Sequence, residues 1–120
     1  MPGVVATSPE VVVRFLVGTL AATCGITPDR LEQVVGEVMR REALQSTAIG
    51  RGIAIPHARS DAVGFAGIII GRLPVPVDWH AIDAEPVRLA CMVLSPRNRP
   101  GDHLRYLERV VRNLLDRGDR

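Results

Sequence analysis

Lysine is missing altogether: all 15 basic residues of the 120 are arginine. Chemistry that runs through a lysine amine, such as a Schiff base or a phosphate-gripping Lys, is therefore excluded. Aromatics are scarce at 3%, with one Trp, one Tyr and two Phe. The core must be aliphatic, and stacked single-stranded bases have little to stack on. Only two cysteines, Cys24 and Cys91, are present, too few for a disulfide framework. No uninterrupted apolar run approaches the roughly 20 residues that span a bilayer, and the N-terminus lacks the basic start of a secretory signal. A net charge of +2 gives no electrostatic case for nucleic acid or a membrane surface. Together these point to a cytoplasmic protein.

What is present is a chain with 47% hydrophobic and 23% charged residues, enough apolar material for one core. Ser8, Pro9 and Glu10 form a helix start, and Gly25 a helix stop, so residues 8–24 are expected to be helical. The run Val11-Val12-Val13 is β-branched and suits a strand; the cap chemistry favours helix. Thr27 and Pro28 open a second helix over 28–42. Leu31, Val34, Val35, Val38 and Met39 share one face of it, while Arg30, Glu37 and Arg40 lie mostly on the other side.

A Gly-rich connection, Gln45 to Gly52, comes next. Short apolar runs bounded by Gly or Pro follow and read as strands: Ile53 to Ile55, Gly67 to Leu73, and Val87 to Leu94. Pro74, Pro76 and Pro86 break the chain between the last two. Ser95 to Gly101 reads as a loop. A last helix is expected from Asp102 to about Asp116, with Leu104, Leu107, Val111 and Leu114 as its stripe and Val110 and Leu115 flanking. This order of elements argues an α/β or α+β layer structure.

His57 is the outstanding candidate for chemistry. It follows the strand Ile53-Ala54-Ile55 after Pro56, where α/β sheets place ligand sites, and Gly50-Arg51-Gly52 permits close backbone approach upstream. His103 falls in the first turn of the last helix, whose free N–H groups suit an anion and disfavour a charged imidazole. Spacing alone favours the plainer reading, in which Asp102 caps that helix and His103 is its solvated neighbour. His80 reads as surface, Cys91 as a buried structural thiol, and Asp78 and Asp83 as turn formers.

The string from Glu42 to Arg59, Glu-Ala-Leu-Gln-Ser-Thr-Ala-Ile-Gly-Arg-Gly-Ile-Ala-Ile-Pro-His-Ala-Arg, resembles the phosphorylation-site signature of type 2 enzyme IIA domains. These belong to the bacterial phosphoenolpyruvate-dependent phosphotransferase system, in its fructose/mannitol and nitrogen-regulatory branch. Asp83-Ala84-Glu85-Pro86-Val87 is similar to the family's Asp-Gly-x-Pro-Val turn. His103-Leu104 with Leu107 is similar to its His-Leu-x-x-Leu helix start. The resemblance covers roughly residues 10–116 of a single domain, 1–120.

The resemblance implies a three-layer α/β/α sandwich around a small mixed sheet. It makes His57 the acceptor of a phosphoryl group from a phosphorylated histidine carrier protein, with Arg41 and His103 lining the phosphate site. No metal or cofactor enters that scheme. Arg51 and Arg59 either touch phosphate or form a docking rim for the partner, or else are ordinary surface arginines; Thr47, and more weakly Ser46, either donate a hydroxyl or stabilise the turn. Relative to the family the chain reads as shortened at both ends, with Val4-Val5-Ala6 as the stub of a first strand. The apolar surface this exposes favours a homo-oligomer. Three functions compete: a regulatory module set by its phosphorylation state, favoured by the nitrogen-branch flavour of the signature and by the lack of a fused IIB or IIC segment; a carrier passing phosphate to a sugar-specific IIB component; and a vestigial interaction module.

Overall fold

The structure, a computed structural model, describes residues 8–98 and 100–118. Helix α1, Pro9–Cys24, is capped by Ser8, whose Oγ accepts the Val11 N–H at 3.4 Å. It ends at Gly25, where φ is 70°, and the Ile26 N–H folds back to the Ala21 carbonyl at 2.8 Å. Val12, Val13, Leu16, Val17, Leu20 and Cys24 are buried along one face. Caps and the 3.6-residue period thus prevail over the β-branched run. Pro28–Arg30 forms a 3-10 turn, so the second α-helix, α2, starts later than expected and spans Leu31–Leu44.

Five strands follow: β1 Ala48–Gly50, β2 Ile53–Ala54, β3 His57–Ser60, β4 Gly67–Val77 and β5 Val87–Pro96. β5 is central. β4 runs antiparallel along one side of it. The other side carries β2 and then β3, both parallel to β5, with Ile53 opposite Leu89 and His57 opposite Val93. β1 pairs antiparallel with β2. β2 and β3 are two pieces of one sheet position, interrupted at Ile55-Pro56.

β5 is apolar on both faces, the pattern of a strand covered twice. Ala90, Met92 and Leu94 join α1 and α2 in one core cluster, which also holds the fully buried Trp79. Cys91 and Val93 join Ile53, Ile55 and Val110 of the last helix, α3 (Pro100–Gly118), in a second. Helices on both faces of a mixed sheet make the three-layer α/β/α sandwich anticipated from the sequence. Burial sends the Cys91 thiol up to about 11, the behaviour of an inert core cysteine.

Several elements differ from expectation. The Gly-rich connection contains β1, held by pairing with β2. β4 continues through Pro74 and Pro76, which is tolerated because it is an edge strand among the described residues and those prolines need no outward N–H. α3 begins at Pro100, so Asp102 lies inside its first turn. On that helix Val110 is buried and Leu107 and Val111 pack beside it. The side chains of Leu104, Leu114 and Leu115, and the stub at 4–6, lie outside the described residues. Ile68 and Ile70 of β4 lie opposite Val93 and Cys91, on the sheet face that α3 covers, yet are 43% and 50% exposed. Ala84, where the family turn has glycine, adopts a left-handed φ of 61°. His80 is exposed.

Candidate functional site

The site is built outward from Glu42 at the end of α2. Its carboxylate accepts the Thr47 N–H at 2.7 Å, the Thr47 hydroxyl at 2.6 Å and the Trp79 Nε1–H at 3.0 Å. Thr47 so fixed offers its carbonyl to the Ile55 N–H at 3.1 Å. The Ile55 carbonyl in turn meets Nδ1 of His57 at 2.9 Å. A carbonyl can only accept, so Nδ1 carries the proton and Nε2 of His57 keeps its lone pair. His57 opens strand β3 rather than sitting in a loop past a strand end. Pro56 separates β2 from β3, and the part-buried His57 that opens β3 lines the cleft.

His103 is brought to it from 46 residues away, counted as 103 − 57, by the return of β5 into α3. The two ring centroids lie 5.4 Å apart with the planes tilted by 49°. His103 is only 5% exposed, so it is no solvated neighbour of a cap. Its Nδ1 is hydrogen-bonded to the hydroxyl of Ser95, which is fully buried at the end of β5.

These rings line a cleft of about 440 Å³ together with Glu37, Arg40, Arg41, Arg59 and Arg97. Four guanidinium groups against one carboxylate give the cleft a positive lining, the charge and donor geometry that suit an anion. Arg41 spends Nη1 on the Gln45 carbonyl at 2.9 Å, closing the C-terminus of α2 while its side chain lines the cleft. Arg97 is held by Glu37 at 3.0 Å and Asp61 at 3.3 Å. Ser60 also donates to Glu37. Glu37 and Arg40 were expected on the solvent side of α2. With Arg41 they form an i, i+3, i+4 stripe turned into the cleft, a spacing that was visible in the sequence.

Burial lowers the pKa of His57, and the Arg41 charge lowers it further, against the opposing pull of the Ile55 carbonyl and Glu42. Burial, then the charges of His57 and Arg59, push His103 down to about 4. Both imidazoles are neutral at pH 7. Three sequence candidates are not brought into the cleft. Thr47 is buried with its hydroxyl committed to Glu42, so it stabilises the turn. Arg51 stands on the β1–β2 turn at φ 59°, its N–H donated to Asp83 at 3.0 Å. Ser46 likewise binds the Trp79 carbonyl at 2.7 Å. The residues whose roles sequence reasoning passed over are Glu42, Ser95 and Arg97; Glu42 opens the signature string that contains His57, while nothing in the spacing of Ser95 and Arg97 relates them to it.

Residues 3–120 match the family model of the phosphoenolpyruvate-dependent sugar phosphotransferase system, EIIA 2. The chain belongs to this enzyme IIA family. The nitrogen regulatory protein of Bradyrhizobium diazoefficiens is 37% identical to it over 98 residues, covering 81% of this chain and 64% of that protein. The fructose-specific EIIA component of Haloferax volcanii is 34% identical over 106 residues, 88% of this chain and 68% of that one. The crystal structure of the nitrogen regulatory protein IIA-Ntr from Neisseria meningitidis superposes with a TM-score of 0.78 at 30% identity, over 88% of this chain and 70% of that chain. The IIA domain thus spans about two thirds of the length of these relatives. Among its described residues no helix is long and apolar enough to cross a membrane.

Proposed function

We propose that this IIA domain is a phosphohistidine protein, taking a phosphoryl group from the phosphohistidine of a carrier protein onto Nε2 of His57, in a regulatory, nitrogen-type role. The observation that carries this is the contact of His57 Nδ1 with the Ile55 carbonyl: a carbonyl can only accept, so the proton sits on Nδ1 and Nε2 is left as the nucleophile in a cleft lined by arginines. The Nε2 lone pair forms the new N–P bond as the donor N–P bond breaks and its electron pair returns to the carrier imidazole. The accepting ring gains positive charge as the donor ring loses it, and the Nδ1–H bond to Ile55 stabilises that charge. Arg41, with Arg40, Arg59 and Arg97 around it, neutralises the phosphoryl oxygens.

The partner side of this role is the carrier protein on one hand and a regulated target on the other, in a cytoplasmic setting. Incubation with phosphoenolpyruvate, enzyme I and the carrier, read by intact mass, should add one acid-labile phosphoryl group. The His57→Ala variant should add none; label persisting in that variant would overturn the assignment. The similarity to a fructose-specific EIIA supports a second reading, donation to a IIB component. Transfer of label from the phosphorylated domain to a purified IIB, against binding to a non-PTS target, separates the two.

A further inference from the structure

Ser95 breaks the pattern of its strand. Leu89, Cys91, Val93 and Ser95 alternate onto the α3 face of β5, and the first three are apolar. A hydroxyl at 0% exposure must place its proton on an acceptor. Among the described residues its partner is Nδ1 of His103, and no buried side-chain polar atom there lacks a partner. Were Nδ1 the protonated nitrogen, Ser95 would accept, and its own buried proton would be left without an acceptor. The reverse arrangement satisfies both groups.

We propose that Ser95 is a positioning residue that fixes His103 as the Nε2–H tautomer, presenting a neutral hydrogen-bond donor to the cleft. The two imidazoles are then opposite tautomers, 5.4 Å apart: His57 keeps a lone pair on Nε2, and His103 keeps a proton there. Burial, then the charges of His57 and Arg59, oppose a second proton on His103, so the donor is held neutral. The functional consequence rests on the proposed phosphorylation of His57: the N–H of His103 supports an oxygen of that phosphoryl group, and Ser95 keeps it pointing the right way.

The tautomer is tested without any phosphate. Long-range proton–nitrogen NMR on the 15N-labelled chain at pH 7 should show His103 protonated on Nε2 and His57 on Nδ1. In Ser95→Ala, His103 should lose its pure Nε2–H signature, and Ser95→Thr, which keeps the hydroxyl, should restore it. A wild-type His103 protonated on Nδ1, or a signature unchanged in Ser95→Ala, would overturn the proposal. The wild-type spectrum alone decides the tautomer if the threonine variant does not fold. In phosphorylated samples Ser95→Ala should shorten the life of the His57 phosphoryl group about tenfold, the effect of one misdirected hydrogen bond to a charged group. An unchanged lifetime overturns the positioning role. Failure of the wild type to phosphorylate overturns the function proposed above, while the NMR result still stands or falls by itself.

Discussion

Replacing Glu42 by alanine removes the acceptor for three donors at once. The Thr47 hydroxyl can rotate to another partner, but the Thr47 N–H and the Trp79 indole N–H are fixed in place. Thr47 is 6% exposed and Trp79 1%, so neither reaches bulk water. A buried N–H left without an acceptor costs about 1–3 kcal/mol. Two of them give about 2–6 kcal/mol, and water entering the space vacated by the carboxylate brings the figure to about 3 kcal/mol. Against the 5–15 kcal/mol typical of a domain, that is a large loss, with a fall in Tm of roughly 10 °C. Urea unfolding followed by circular dichroism measures it. Glu10→Ala, which removes the exposed pair with Arg14, is the control and should lower stability far less than Glu42→Ala. Phosphorylation of Glu42→Ala should also slow, because Thr47 holds Ile55 and Ile55 holds the proton of His57. A loss below about 1 kcal/mol in Glu42→Ala would refute the chain of support from α2 to the imidazole.

Two further outcomes follow from the cleft. Arg41→Lys keeps the charge but loses the planar fork, so transfer to His57 should slow by about tenfold to a hundredfold, corresponding to roughly 1.5–3 kcal/mol of charge-assisted hydrogen bonding; stopped-flow or quench kinetics at wild-type rate would remove Arg41 from the phosphate site. Stability should also fall as pH drops from about 6.5 toward about 4. In that window the unfolded chain protonates His103 and the folded chain does not, so the contribution is complete above the unfolded value and shrinks as the pH falls. The span from 6.5 to about 4 corresponds to roughly 3 kcal/mol, with His57 acting in the same direction. The carboxyls of Asp29 and Asp83, held below their usual range by hydrogen bonds, titrate beneath this window. Unfolding curves that coincide at pH 7 and pH 5 would refute the burial of neutral imidazoles.

The caps of α1, the apolar periods of α1 and α2, the twice-buried strand β5 and the signature around His57 could all be read from the chain. Each depends on neighbours a few residues apart, where backbone preference and side-chain spacing act directly. The start of α2 could not be read, because Thr27 does not cap it and Pro28–Arg30 winds as a 3-10 turn. Local sequence also held the stripe of Glu37, Arg40 and Arg41, although a helix alone does not say which polar face meets a cleft. The meeting of His57 with His103 was anticipated only from family likeness, because 46 residues of chain separate them and no local rule relates them. The roles of Glu42 and Ser95 belong wholly to the tertiary structure. A carboxylate or a hydroxyl looks the same in sequence whether it is solvated or is the sole acceptor or donor for a buried partner. Only packing, by excluding water and fixing which groups face each other, decides which nitrogen of each imidazole carries the proton.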